Sequence, residues 1–234
     1  MPLYRLGPLH NGFPPIEAAL DDPNGLLAVG GDLEPDRLLL AYRHGIFPWF
    51  SAGEPICWWS PDPRCVFHTE HWTPSRSLIK TLRKGHFRFT LDRCFTQVME
   101  ACAAPRDYAA GTWIQPEFIR SYTILHKQGI AHSIEVWNPE GDLVGGLYGL
   151  NLGHLFFGES MFSLETDASK AAFTYLMQLC QHWHIPLIDG QVENPHLIRL
   201  GACLISRQEF AQRLELSADL PAPDWRTAPL FNMP

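Results

Sequence analysis

Residues 156–163 place a carboxylate inside a strongly apolar stretch, where side chains are expected to be buried. The carboxylate is Glu159, and hydrophobic residues stand on both sides of it. A continuous strand points alternate side chains to one face. That face would combine apolar walls, a carboxylate and a hydroxyl, contributed by Phe157, Glu159, Met161 and Ser163.

A second polar pair ends the short apolar stretch 187–191. Asp189 and Gln191 are two residues apart, so on a strand they share a face and can converge on one small group. A buried carboxylate needs a partner or a function, because burial without either is costly. Two interpretations therefore stay open for Glu159 and Asp189, namely pairing with a structural arginine or acid–base chemistry.

Strands interleaved with helices are expected to position these residues. Apolar spacing, turn residues and caps predict helices over 34–45, 75–84, 95–103, 116–127, 168–184 and 207–214, and strands over 64–67, 87–90, 132–137, 143–150, 154–157 and 187–191. This order predicts a mixed α/β (α+β) fold. Closely spaced prolines predict a boundary between a small N-terminal domain (1–62) and a larger domain (63–234) that ends in an extended tail.

The overall composition suits a folded protein and, taken alone, argues against a nucleic-acid partner. Of the 234 residues, 46% are hydrophobic and 18% are charged, and the net charge is −7. Segment 64–93 differs, because its seven Lys and Arg against two Asp and Glu give +5 and leave −12 for the rest. No run approaches the roughly 18 apolar residues of a membrane span, and no signal pattern is present. We therefore expect a cytoplasmic protein without a membrane partner.

The basic segment contains one helix with cations on a single face. Arg76, Lys80, Arg83 and Lys84 follow one another at i, i+4, i+7 and i+8. A merely solvated helix face usually mixes positive and negative residues. This one does not, so it predicts phosphate binding.

Metal and nucleotide motifs are absent from the sequence. The six cysteines are scattered, and the neighbouring Cys180, His182 and His184 lack a matching second ligand pair. No phosphate loop or nucleophile elbow occurs. We expect reduced thiols and neither a metal nor a cofactor.

Several sequence blocks, met in a fixed order, resemble the bacterial leucyl/phenylalanyl-tRNA–protein transferases. The resemblance runs from about residue 14 to about residue 213. The blocks are 23–33, 45–50, 58–64, 111–114, 132–137, 158–163, 168–170, 189–191 and 200–202.

This resemblance implies a larger domain with the acyltransferase fold of the GNAT superfamily. It also implies transfer of Leu or Phe, with Met as a third donor, from aminoacyl-tRNA to the N-terminal Arg or Lys of acceptor proteins, which marks them for degradation. Acetyl-CoA is not implied, because the Arg/Gln-x-x-Gly-x-Gly/Ala pyrophosphate loop of CoA-using relatives is missing. Nothing in the sequence reads as a coiled coil or a repeated interface stripe, so we expect a monomer.

The resemblance supports three catalytic positions, and their individual roles are our inference. Asp189 would hold the attacking amine and assist its deprotonation. Gln191 would position the amine or the ester, and Glu159 would hold the basic end of the acceptor or join the same relay. The tRNA would be held by Arg76, Lys80, Arg83 and Lys84.

The aminoacyl side chain needs an apolar slot, and the sequence offers several aromatic and aliphatic candidates. Each of them could instead belong to the ordinary core. The candidates are Trp49, Trp113, Leu147, Phe156, Met161, Ser163 and Phe173, to which Met177 is added because it lies one helical turn beyond Phe173.

Two other classes of function stay open at this stage. One is a CoA-dependent N-acetyltransferase of the same fold, which would bind CoA. The other is a non-catalytic RNA-binding module, which would tolerate loss of Glu159, Asp189 and Gln191.

Overall fold

The computed structural model describes residues 3–7, 12–104 and 112–231. Residues 1–2, at the start of the predicted N-terminal domain, and residues 232–234, at the end of the larger domain, lie outside these ranges. Gly111 of the block 111–114 also lies outside them. Seven α-helices are described. Some begin at a capping residue or an N-terminal proline, and the others follow from the spacing of their apolar residues. They are α1 (Pro35–Arg43), α2 (Arg76–Leu82), α3 (Phe95–Ala103), α4 (Pro116–Lys127), α5 (Ala168–His182), α6 (Pro195–Arg199) and α7 (Arg207–Ser217).

Eleven strands within the described ranges form two sheets, which confirms the predicted mixed α/β class. The strands are β1 (Tyr4–Leu6), β2 (Leu26–Gly30), β3 (Phe47–Pro48), β4 (Cys57–Trp59), β5 (Arg64–His68), β6 (Arg88–Leu91), β7 (Ala131–Trp137), β8 (Leu143–Leu152), β9 (Leu155–Ser163), β10 (Leu187–Gln191) and β11 (Cys203–Ile205). The small sheet has the order β1-β2-β4-β3, and the large sheet has the order β11-β5-β10-β9-β8-β7-β6.

The large sheet is antiparallel except at one pair of strands. β9 and β10 run parallel, and their pairing ends where Phe157 lies beside Asp189. Beyond that point β9 continues to Ser163, paired only with β8. The two strands therefore separate, and an opening forms in the middle of the sheet.

Two hydrophobic clusters pack on opposite faces of the large sheet. One face is covered by α3, α4, α7 and the small sheet, and its core includes Trp58, Tyr122 and Phe157. The other face is covered by α2 and α5, with Phe156 and Phe173 in its core. Both faces of the sheet are buried, which is why β8 reads as a continuous apolar run rather than an alternating one.

Most predicted elements are confirmed to within a few residues, and the small sheet is the main omission. Its strands are two to five residues long and lie among prolines and turns, so they carry no period that a pattern search detects. Helix α6 and strand β11 were missed for the same reason. The segment after α7 is largely irregular, but it buries Trp225, whose indole donates to Asn151 Oδ1 at 3.0 Å.

We predict that Gly149→Ala destabilises the fold while Gly158→Ala, its partner across the β8–β9 ladder, does not. A Cβ at Gly149 would meet the Phe157 carbonyl oxygen and lie 2.6 Å from the Phe156 ring. At Gly158 the nearest atoms are at 3.5 and 3.9 Å. Urea denaturation should give a loss of about 3 kcal/mol for Gly149→Ala and under about 1 kcal/mol for Gly158→Ala. Equal losses in the two variants would contradict this packing.

Candidate active site

A cavity of about 1110 Å³ opens where β9 and β10 separate. Glu159, Asp189 and Gln191 all line it, so the structure brings the three predicted polar residues together. Their mutual contacts differ from a simple convergence on one group, because each of the two strands carries an irregularity at this point.

Glu159 occupies a β-bulge on β9. Gly158 lies opposite Gly149 and Ser160 opposite Tyr148, so Glu159 has no opposite residue on β8. The extra residue reverses the alternation of side chains along the strand. The predicted single face of Phe157, Glu159, Met161 and Ser163 is therefore wrong, since Phe157 packs with one core and Met161 with the other.

The Glu159 carboxylate is held by two tyrosines that the sequence did not single out. The hydroxyl of Tyr42, from α1, donates to Oε1 at 2.7 Å, and that of Tyr122, from α4, donates to Oε2 at 3.3 Å. The two hydroxyl oxygens are 2.5 Å apart. Both residues belong to apolar helix faces, so in sequence they look like ordinary core aromatics.

Burial raises the pKa of Glu159 to about 7. The negative charge of Asp189 acts in the same direction, whereas the hydrogen bonds from Tyr42, Tyr122 and Gln191 oppose it. The proton count agrees with this direction. Three oxygen–oxygen contacts join Glu159 and the tyrosines, but the two hydroxyls supply only two protons. When Glu159 is protonated, its own O–H can donate to Tyr122, and the Tyr122 hydroxyl is then free to donate to Tyr42.

Asp189 is wholly buried and paired with an arginine, the structural alternative that the sequence had left open. Arg64 donates to its two carboxylate oxygens, from Nε at 2.8 Å and from Nη2 at 2.7 Å. The guanidinium also donates to the Gly45 carbonyl and lies between the rings of Phe47 and Phe210. This bidentate geometry and the bound carbonyl are what a desolvated ion pair needs.

Gln191 connects the two carboxylates. Its backbone N–H donates to Asp189 Oδ1 at 2.9 Å, and its side-chain Nε2 donates to Glu159 Oε1 at 2.8 Å. The Gln191 backbone has φ = 63°, and the β10–β5 register shifts between Asp189 and Gln191. Asp189 and Gln191 thus point to different partners, and the expected convergence on one group is replaced by a chain from Arg64 through Asp189 and Gln191 to Glu159.

The cavity has two unlike walls because its lining comes from both faces of the sheet. The wall toward α5 is apolar, and we call it the apolar wall; it consists of Phe67, Leu147, Met161, Phe173 and Leu176. The opposite wall, here the tryptophan wall, consists of Phe47, Ala101, Trp113 and Phe162, together with Trp49, which is 45% exposed. Ser163 lines the cavity between β9 and α5, where its hydroxyl accepts from the N–H of Ser169.

Two of the predicted slot residues do not line the cavity. Phe156 precedes the bulge and is buried in the core, with its ring centroid 5.7 Å from that of Trp225. Met177, one turn beyond Phe173 on α5, is also fully buried. Both are core residues, so these two predictions were wrong. The spacing of residues in the sequence predicts which face of an element a side chain is on, but not whether that side chain reaches the cavity.

The predicted basic face is present on the surface, although the charge of its segment is smaller than expected. Arg76, Lys80, Arg83 and Lys84 are exposed, and no ion pair involves them within the described residues. Helix α2 ends at Leu82, so Arg83 is its C-cap and Lys84 lies beyond it. Arg64, counted with the basic segment, is internal and bound to Asp189.

The described residues contain neither a membrane-spanning helix nor a cluster of metal-ligating side chains. No helix there is long and apolar enough to cross a membrane. No group of three or more His, Cys, Asp or Glu side chains there is arranged to hold a metal ion.

A mixed α/β sheet that opens between two strands, with an apolar slot beside a carboxylate of near-neutral pKa, has the features of an enzyme active site. The sequence model of the family leucyl/phenylalanyl-tRNA protein transferase matches residues 66–215, and that of the family's N-terminal domain matches residues 31–62. The chain belongs to this family, as the sequence blocks predicted.

Similar proteins cover nearly the whole chain. A leucyl/phenylalanyl-tRNA–protein transferase from Cellvibrio japonicus (strain Ueda107) is 60% identical over 209 residues, which are 89% of this chain and 88% of the relative. Another, from Stutzerimonas stutzeri (strain A1501), is 54% identical over 215 residues, or 92% and 95%. Among solved structures, FemX matches with a TM-score of 0.49 and 13% identity, covering 77% of this chain and 71% of FemX.

We predict that Glu159→Gln changes the pH dependence of stability. Because the native pKa of Glu159 lies above its ordinary value, the unfolded chain loses this proton first as pH rises. The native state then holds more protons between about pH 4.5 and about 7, so wild-type stability falls across that range. Glutamine does not ionise, and the variant should gain stability relative to wild type from pH 4.5 to 7.5, measured by urea denaturation. A pH-independent difference would contradict the raised pKa.

Proposed function

We propose that this enzyme moves Leu or Phe from aminoacyl-tRNA to the N-terminal Arg or Lys of acceptor proteins and so marks them for degradation. Membership of the family supports the reaction. The structural observation that carries the proposal is the Glu159–Gln191 contact at 2.8 Å beside an apolar slot. Acid–base groups and a side-chain pocket are thereby within reach of one bound ester.

The apolar wall is proposed to receive the side chain of the donor amino acid. The apolar wall carries no charged side chain, and Leu147, Met161 and Phe173 form much of its surface. This surface suits the side chains of leucine and phenylalanine. One methylene in such a slot is worth only about 1–3 kcal/mol, so similar apolar donors, including Met, should compete. Trp49 and Trp113 form part of the opposite wall of the cavity. Ser163 is proposed to shape the edge of the apolar slot between β9 and α5.

The reaction needs no activating cofactor, because the donor ester is already activated. The α-amine of the acceptor has an ordinary pKa of about 7.7–8.0, so about a tenth or more is neutral at pH 7. Its nitrogen attacks the ester carbonyl carbon, the new C–N bond forms, and the C–O bond to the terminal ribose breaks. A proton leaves the nitrogen, and the ribose oxygen takes one up.

Glu159 is proposed as the group that accepts the proton from the amine. Its pKa of about 7 lets it exchange a proton with an amine near neutral pH. The Gln191 amide lies against it and can orient the amine through its carbonyl oxygen. Asp189 is proposed to act through Gln191, because Arg64 already occupies both of its oxygens.

The basic acceptor residue is proposed to enter from the side of the cavity that bears acidic groups. Glu193 lines the same cavity and is exposed, so it can attract an arginine or lysine side chain without losing hydration. We propose a monomer, because the sequence contains neither a coiled coil nor a repeated interface stripe. Its donor is made in the cytoplasm, where we place the protein.

We predict that the purified protein transfers radiolabelled leucine from leucyl-tRNA to a peptide that begins with arginine, but not to the same peptide with an acetylated N-terminus. Glu159→Gln should reduce kcat about a hundredfold, the typical contribution of acid–base catalysis, and leave the Kd for leucyl-tRNA unchanged. Scintillation counting of the peptide measures the transfer.

Two outcomes would refute separate parts of this proposal. Absence of label in the arginine peptide would reject the function itself. Full transfer by Glu159→Gln would keep the function and reject the role of Glu159. An exposed turn residue, Glu140, provides the matched Glu→Gln control, which should behave as wild type.

The exposed cations of α2 are proposed to hold tRNA phosphates without reading base sequence. We predict that Arg83→Ala combined with Lys84→Ala weakens leucyl-tRNA binding and lowers the slope of log K against log salt by about 1 to 2. Lys127→Ala, an exposed cation at the end of α4, serves as control. An unaltered slope in the double variant would show that the C-terminal end of α2 does not contact the tRNA.

A further inference from the structure

A second cavity, of about 630 Å³, lies beside the active site and takes no part in the mechanism above. It is enclosed by the start of α2, the first turn of α5 and helix α6. The residues that line it are His68, His71, Trp72, Thr73, Ser75, Leu78, Lys170, His196, Arg199, Leu200, Gly201 and Cys203.

The second cavity adjoins the first. His196 and Arg199, both on α6, line both cavities. The partition between them is aromatic, because the Trp72 ring packs edge-on against Phe173, with centroids 5.5 Å apart. A chain-like ligand whose end is bound in the active site can therefore continue across α6 into the second cavity.

The charge of the second cavity selects for an anion. No aspartate or glutamate is among the described residues that line it, whereas Lys170 and Arg199 are. Arg199 is exposed, and no ion pair of the described chain involves it. Lys170 reaches Asp167 at 2.7 Å and remains 42% exposed, so its ammonium can still meet a second oxygen.

The second cavity also has a fixed aromatic surface. Trp72 is half-buried, and its indole N–H donates to the Leu200 carbonyl at 2.7 Å. This bond sets the orientation of the ring before any ligand arrives. A preset aromatic face next to cations is the combination that binds single-stranded nucleic acid, by stacking of bases and pairing with phosphates.

We propose that the second cavity binds the nucleotides that immediately precede the aminoacylated nucleotide at the single-stranded 3′ end of the donor RNA. Arg199 and Lys170 meet the phosphates, and a base packs against Trp72. The inference rests on the function proposed above and extends it. From Ser75 the path continues to Arg76 and the other cations of α2, which joins the active site to the tRNA body in one basic track.

A peptide fits this cavity less well than RNA does. The proposed acceptor is basic at its N-terminus, and the second cavity would repel it through Lys170 and Arg199. The exposed carboxylate near the active site, Glu193, lines only the first cavity. The exposed carboxylate proposed to attract the basic acceptor is therefore absent from the second cavity.

The test compares two inhibitors of leucine transfer from leucyl-tRNA, namely adenosine and the trinucleotide CpCpA, the 3′ end that tRNAs share. Adenosine fills the active site alone, whereas CpCpA extends into the second cavity. In wild type, CpCpA should inhibit on the order of tenfold more strongly, the gain expected from one charge-assisted contact. In both Lys170→Ala and Arg199→Ala this advantage should shrink to about threefold or less. Inhibition by adenosine and the kcat should stay unchanged in Lys170→Ala, because Lys170 lines only the second cavity.

The other possible results of this experiment would contradict either the proposed binding in the second cavity or the proposed function. Equal inhibition by the two compounds in wild type would overturn the proposal, as would an advantage of CpCpA that both variants retain. Weaker inhibition by adenosine in Lys170→Ala, which lines only the second cavity, would also overturn it. Lys127→Ala controls for loss of a distant cation. If wild type transfers no leucine at all, the proposed function fails, and that outcome is distinct from these.

Discussion

The buried ion pair between Arg64 and Asp189 is the interaction on which the rest of the site depends. Its guanidinium contacts three separate parts of the chain, through the Gly45 carbonyl after α1, the Phe47 ring on β3 and the Phe210 ring on α7. Its carboxylate belongs to β10. Loss of one partner would leave the other charged and desolvated, at a cost of about 3–5 kcal/mol. The pair therefore locks the N-terminal segment, α7 and the large sheet together.

The same pair determines where the reactive groups lie. Asp189 accepts from the Gln191 backbone N–H, and this bond stabilises a left-handed conformation that a glutamine seldom adopts. The turned backbone directs the Gln191 amide to Glu159. Glu159 in turn stands on a bulge, held by tyrosines from α1 and α4. Strain and burial are concentrated here because they fix a carboxylate that would otherwise remain solvated and acidic.

The sequence predicted the order of the main elements, because long helices and strands have clear periods and caps. The family resemblance also singled out Glu159, Asp189 and Gln191, and the structure shows that all three line one cavity. The sequence did not reveal their partners, since Tyr42 and Tyr122 look like core residues and Arg64 looks like one more cation of a basic segment. The bulge at Glu159 was invisible for a related reason. An inserted residue changes the face of Met161 and Phe162 without changing residue types, and only the pairing with β8 shows it.

The net charge of −7 is best understood through its distribution once Arg64 is assigned to the interior. The remaining cations of the segment 64–93 are concentrated on α2, and Arg199 and Lys170 continue that surface toward the active site. Three carboxylates line the active-site cavity, namely Glu159, Asp189 and Glu193, and of these only Glu193 is exposed. In the proposed reaction, the cations of α2 attract the polyanionic donor and the exposed Glu193 attracts the basic acceptor. An overall negative chain can serve a nucleic-acid substrate because binding responds to the local field, and the local field here has both signs.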